Sequence, residues 1–334
     1  MVIEGLGPHG ERASAPERVL LLPEDKARAR AAGLRIAIVL HTLASDWAKQ
    51  QLAGIVGTLG DCGVAVIDVV DCGFTPEVQI EALDRLIREA PDAIISLPVA
   101  NAKVAAAHAR VSAAGIKLVL LDNVPTGLLP GKDYVSLISA DNFGLGKMAA
   151  EGLAPHLGEE AEVGVLGYES DFFATNEREI AFVKWMRINR PRHHLHVARF
   201  PSLTEAGETA SALAKKLPDL KGLFVVWDTP AIAAAAALVS AGLSVPIATV
   251  DLGKEAAISL SGGGPIVTIA AQQPFRQGQT AASTTVTALL SRLTPAWVAL
   301  PGVAVTATNV VESFQTIWRS PAPREVLRQQ KLLR

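Results

Sequence analysis

The sequence predicts an α/β fold built as two doubly wound parallel-sheet lobes. Three observations carry this expectation. Short apolar runs of strand length recur along the chain and are nearly continuous rather than alternating, the pattern of strands covered on both faces. Amphipathic or alanine-rich segments of helical length separate them, as βα units require. Ten such runs fall into two sets of five, divided by the helical stretch NFGLGKMAAEGLAPHL.

In chain order, the first stretch, MVIEGLGPHGERASAPER, lacks the apolar core of a secretory signal. Its GLGPHG (5–10) matches G-x-G-x-x-G, but no strand precedes it and no helix clearly follows, so it reads as a flexible leader. LLPEDKARARAAG reads as a short capped helix, with Pro23 at its start and Gly33 at its end. The first set of strands is LRIAIVL (34–40), GVAVIDVV (63–70), AIISLP (93–98), KLVLLD (117–122) and YVSLIS (134–139). Among the intervening helices, TPEVQIEALDRLIREA opens on Thr-Pro and puts Ile80, Leu83, Leu86 and Ile87 on one face. NAKVAAAHARVSAAG closes on Gly115. The second set is EVGVLGY (162–168), LHVARF (195–200), GLFVVWD (222–228), PIATVDL (246–252) and IVTIAAQ (266–272), with TPAIAAAAALVSAG closing on Gly242. The tail, PREVLRQQKLLR, reads as a solvated or loosely docked helix.

Composition narrows the function. The 334 residues are 49% apolar, with a formal net charge of −2 and no long like-charge block. That argues against a nucleic-acid surface. Cys62 and Cys72 bracket the run VAVIDVV, whose extended length separates them beyond the roughly 7 Å between Cα atoms that a disulfide allows. They are expected to be free thiols in turns. No run of 18 apolar residues occurs, so no membrane span is expected.

Ligands of open α/β sheets bind beyond the carboxyl ends of the strands. The residues at these tips are distinctive. His41, Ser45, Asp46 and Trp47 follow the first strand, and Asp122 and Asn123 follow LVLL. VLGY leads to Asp171, Phe172, Phe173 and Asn176; FVV leads to Trp227 and Asp228; ATV leads to Asp251; TIAA leads to Gln272 and Gln273. Aromatic faces cover the C–H surface of a carbohydrate or polyol, carboxylates accept from hydroxyls, and amides both donate and accept. Few Arg or Lys residues sit at these tips, which disfavours a phosphorylated or acidic ligand. Any single Asp here has a structural alternative as a helix cap or turn residue; the recurrence of aromatic and amide residues is what points to a site. No P-loop or G-x-S-x-G elbow is present, and HHLH (193–196) lacks helical ligand spacing and reads as a surface cluster. Neither a cofactor nor a metal is expected.

Five stretches, in this order, carry a resemblance: LVLLDNVP, SLISADNFGLGKMAAEGL, GLFVVWDTPAIAAAAAL, IATVDLG and VTIAAQQPFRQGQTAA. With them, approximately from residue 34 to 310, the chain resembles the type I periplasmic binding proteins, the ribose-binding-like solute receptors of ABC transporters. SADNFGLGKMAAE is the most specific, matching the family's S-x-D-N-x-x-x-G element. The lac-repressor-type regulators share the ligand fold but carry an N-terminal helix-turn-helix, which the residues before the first strand do not resemble.

The resemblance implies two lobes joined by three hinge crossovers, near Ala140, Gln272 and Val303, with ligand enclosed by hinge closure. It implies residues 1–33 as leader and short helix, 34–139 plus 273–303 as lobe 1, and 140–272 plus 304–334 as lobe 2 and tail. His41, Ser45 and Trp47 match first-lobe positions that touch the sugar, and Asp122 matches the family's sugar-binding aspartate. Asp251 and Gln272 match its pattern directly. Asn123 and Asn176 stand where arginine is common, and Trp227 where asparagine is common. Loss of two guanidinium groups, with Trp47, Phe172, Phe173 and Trp227 narrowing the cleft, implies a small neutral polyhydroxy ligand, a pentose-like sugar or a sugar alcohol. The features DNVP and WDTP resemble polyol binders more than ribose binders. The expected protein is a non-catalytic, monomeric periplasmic receptor whose partners are membrane permease subunits, its signal peptide being removed or outside this sequence. The alternatives are a cytoplasmic sugar-sensing regulatory domain without its DNA-binding part, and an α/β enzyme, for which a cofactor motif after a strand would be the mark.

Overall fold

The computed structural model describes residues 3–332. The first half runs α1 (Pro23–Ala32), β1 (Arg35–Leu40), α2 (Asp46–Asp61), β2 (Ala65–Asp71), α3 (Pro76–Glu89), β3 (Ala93–Ser96), α4 (Ala102–Ala113), β4 (Lys117–Leu121) and β5 (Ser136–Ala140). The chain then crosses into α5 (Asn142–Leu153), β6 (Glu162–Tyr168), α6 (Phe173–Asn189), β7 (His194–Phe200), α7 (Ala206–Lys216), β8 (Leu220–Val225), α8 (Asp228–Ser240), β9 (Ile247–Val250), α9 (Lys254–Ser261) and β10 (Ile266–Ala271). It returns through α10 (Pro274–Leu289) to β11 (Trp297–Leu300), and crosses again to β12 (Val303–Val305), α11 (Val310–Trp318) and α12 (Arg324–Leu332).

The strands form two six-stranded sheets of matching order, β11-β5-β4-β3-β1-β2 and β12-β10-β9-β8-β6-β7. Among the described residues, all strand pairings are parallel except β10 with β12. Residues of β1, β3, β4, β5, β8, β9 and β10 are buried almost throughout, which is why their sequences are continuously apolar. The edge strands β2 and β7 are half-exposed and admit Asp68, His196 and Arg199. β11 and β12 were not among the ten expected strands. They are short and meet at Pro301-Gly302, so the run AWVALPGVAV reads as a loop until β5 and β10 supply partners.

The N-terminal segment is not a free leader. Ser14 pairs with Val298 of β11, and Glu4 and Gly5 are hydrogen-bonded to the Asp141 side chain. α1 ends at Gly33 with φ 62°, the left-handed turn that glycine permits. The tail helix α12 is docked, with Val326 fully buried; residues 333–334 of that stretch lie outside the described residues. Cys62 and Cys72 are free and buried. In HHLH, His193 is buried and its Nε2 meets the Gly158 carbonyl at 3.0 Å, while His196 pairs with Glu162 across the β6–β7 edge, so the four residues are not one surface cluster.

Candidate ligand-binding site

The carboxyl ends of both sheets face one cavity of about 310 Å³. His41 and Ser45 reach it from the turn after β1, Trp47 from the first turn of α2, and Asp122 and Asn123 from the end of β4. The second lobe contributes Phe172, Trp227 and Asp251, and Gln272 enters from the crossover after β10.

Asp122 and Asp251 occupy equivalent places. Each follows the third strand of its sheet, β4 or β9. Each donates its backbone N–H to the neighbouring strand, Asp122 to Ile138 at 2.9 Å and Asp251 to Ala270 at 3.2 Å. Each then turns left-handed, with φ 52° and 70°. Aspartate tolerates this conformation better than most residues, and such strain persists where the surroundings hold it. The turn leaves both carboxylates in the cavity wall.

Their electrostatics are shaped by burial. Asp122 is 6% exposed; desolvation pushes its pKa up to about 7, opposed by the charge of Arg178 and a 3.4 Å hydrogen bond from Gln51 Nε2. Desolvation likewise raises Asp251, against Arg178 and Gln272, whose Nε2 donates to Asp251 Oδ1 at 2.5 Å. Gln272 is itself oriented by Gln277, which donates to its Oε1 at 3.0 Å. Asp228 adds a third carboxylate to the wall, raised by burial and by Asp251, and its Oδ2 accepts from the Gly253 N–H at 2.7 Å. Burial lowers His41 to about 4, so its imidazole is neutral at pH 7.

Among the described residues, four buried polar atoms of the wall have no protein partner: His41 Nδ1, Trp47 Nε1, Asp122 Oδ1 and Asn123 Nδ2. They comprise donors, an acceptor and an imidazole nitrogen that serves as either, a set matched to hydroxyl groups. Aromatic rings flank them. His41 meets Trp47 and Phe74 edge-on at 5.9 and 4.8 Å between centroids. Opposite, Tyr168 stacks on Phe172 at 5.8 Å and meets Trp227 edge-on at 5.3 Å. The lobes touch beside the cavity, where the Phe173 N–H donates to Asn123 Oδ1 at 3.2 Å.

Four candidates lie outside this wall. Asp46 is the first residue of α2, paired with Lys49 at 3.7 Å, while Ser45 caps the helix by accepting from the Ala48 N–H. Asp171 is exposed and accepts from Asn176 Nδ2 at 2.6 Å, which occupies both side chains with each other. Phe173 packs against the first lobe's core. Strand-tip reasoning also missed Thr42, Phe74, Tyr168 and, above all, Arg178. Arg178 is 4% exposed and is held by Asn142 Oδ1 at 2.9 Å and the Val226 carbonyl at 3.0 Å. It places one guanidinium in the wall from a helix face rather than from the strand tips, where few Arg or Lys residues sit and Asn123 and Asn176 replace two arginines common in the family. The signal for it was helical: Ala174 and Arg178 stand four apart on the α6 face that lines the cavity, whereas Asn176 points elsewhere.

A family model described as a periplasmic binding protein domain matches residues 36–292. The chain belongs to this periplasmic binding protein family. As such it is 27% identical over 250 residues, 74% of its length and 78% of the relative's, to the ribose import binding protein RbsB of Bacillus subtilis. Its fold is shared with an ABC transporter solute-binding protein of Agrobacterium vitis bound with α-D-tagatopyranose, at TM-score 0.79 and 22% identity, covering 87% of this chain and 100% of that one. A second Agrobacterium vitis solute-binding protein, with bound allitol, aligns at TM-score 0.77 and 23% identity over 85% of this chain and 99% of that one.

Proposed function

We propose that this periplasmic binding protein is the solute receptor of an ABC importer and takes a small neutral sugar or sugar alcohol between its lobes. The observation that carries the reading is the pair Asp122 and Asp251, one buried carboxylate from each lobe in one aromatic-walled cavity with unpartnered polar atoms around it. Vicinal hydroxyls donate to the carboxylates and accept from Trp47, Asn123 and Arg178, while Trp47 and Trp227 cover the carbon skeleton. A ligand touching both lobes favours the arrangement in which both are engaged, which is hinge capture. Permease subunits would read that liganded shape in the periplasm; the chain performs no chemistry on its ligand. Three carboxylates against one guanidinium disfavour an anionic or phosphorylated ligand. Support for a receptor over a cytoplasmic regulator comes from the import protein and transporter components among the relatives.

A thermal-shift screen tests this. Pentoses, hexoses, tetritols, pentitols and hexitols are compared with sugar phosphates. A ligand of the native state raises the melting temperature in step with its affinity and concentration. A rise with at least one neutral compound and none with phosphates is expected; no response to any polyhydroxy compound would sink the reading.

A further inference from the structure

The segment before α1 joins both lobes across the first crossover. Its lobe 1 anchor is Ser14, whose N–H donates to the Trp297 carbonyl at 2.9 Å and whose carbonyl accepts from Ala299 at 3.3 Å, alongside β11. A turn follows towards the N-terminus, closed by the Gly7 N–H to Glu11 carbonyl bond at 2.9 Å. At the other anchor the N–H groups of Glu4 and Gly5 donate to the two carboxylate oxygens of Asp141, at 2.7 and 3.0 Å. Asp141 is the crossover residue that caps α5 through Gly144, and its own N–H donates to Leu300 at the end of β11. The Glu4 carboxylate pairs with Lys147 at 2.6 Å, one turn along α5. That helix belongs to the second lobe, since Leu145, Ala149 and Leu153 are fully buried in its core.

Gly5 is the closest point of this contact. A Cβ there would stand 2.9 Å from Asp141 Oδ1 and 3.1 Å from Phe143 Cβ, so a side chain at position 5 would push the segment off α5.

We propose that residues 4–14 are a strap that restricts the angle between the lobes and so sets how readily the hinge moves. Rotation of α5 relative to β11 must carry the strap along or release it from Asp141, because the two anchors stand on elements of different lobes. Restricting the free protein to fewer lobe angles changes the conformational cost of ligand capture. This consequence for affinity rests on the receptor reading, whereas the strap's effect on lobe geometry does not.

The test therefore reads lobe geometry without ligand. Spin labels are attached in the full chain at Lys103→Cys on α4 and Glu208→Cys on α7, both exposed sites at the first turns of their helices, while the native cysteines are buried. The distance distribution is compared with that of the same labelled chain carrying Gly5→Val, and of one lacking residues 1–7. The strap predicts a broader distribution with a displaced mean in both variants. Distributions in both variants that superimpose on that of the labelled parent chain, with circular dichroism showing each folded, would overturn it. A broadened distribution in a protein that binds no polyhydroxy compound keeps the strap and removes the receptor reading instead.

Discussion

Asp122 carries a carboxylate whose cost in the free protein depends on pH. Its folded pKa of about 7 stands above the 3.8 of a solvated aspartate, so the folded state binds more protons between those values. Ligand-free stability from this group falls as pH rises through that window, and the full penalty is reached above pH 7. Asp122→Asn keeps the shape and tolerates left-handed backbone while removing the charge. The variant is expected to melt about 2 °C or more above wild type at pH 8, with the gap closing towards pH 4, as read by calorimetric scans without ligand. His41 and His108, both lowered to about 4 by burial, act with the opposite sign as pH falls from 6.5 towards 4, which is why the comparison is made against wild type at each pH. At this scale the sequence was legible where a polar residue ends an apolar strand, as at Asp122, Asn123, Asp251 and Gln272. It was not legible at Arg178, whose role depends on which face of α6 turns inward, nor at Asp171 and Asn176, which bond to each other.

The helices α2 and α10 meet backbone to backbone, and this contact supports the cavity. A Cβ on Gly54 would lie 2.1 Å from the Phe275 carbonyl oxygen, and one on Gly278 would lie 2.0 Å from that of Gln51. Such close approach brings Gln51 under Asp122 and Gln277 under Gln272, both with fully buried side chains. Gly278→Ala is expected to cost about 1–3 kcal/mol, seen as a lower urea midpoint, because backbone must move to admit the methyl group. Gly57→Ala, also on α2 but with nothing within 4 Å of its Cβ, is the control and is expected to leave the midpoint unchanged or slightly higher. Most elements were readable because local pattern and final environment agree: a strand buried on both faces is apolar throughout, and α1 and α4 stop where Gly33 and Gly115 allow a left-handed turn. β11 and β12 were not, because three or four residues beside Pro301-Gly302 become strands only through partners far away in sequence.

For the whole molecule, the repeated sheet order explains why one cavity receives two equivalent aspartates. A doubly wound sheet presents its strand ends on one side, and two such sheets facing each other bring those ends together. The count of two lobes was readable from the repeated set of five strands. The docked N-terminal segment was not, because its hydrogen bonds to Asp141 use backbone N–H groups that leave no mark on side-chain pattern.

Under the proposed function, ligand is held between carboxylates of opposite lobes. Calorimetric titration of the best compound from the thermal screen tests it most directly, using wild type, Asp122→Asn, Asp251→Asn and Asp46→Asn. One ligand per chain is expected, with a loss of roughly 30-fold or more in affinity for each of Asp122→Asn and Asp251→Asn, equivalent to about 2 kcal/mol for a buried charged hydrogen bond, and no change for Asp46→Asn. Wild-type affinity in either Asp122→Asn or Asp251→Asn would contradict it.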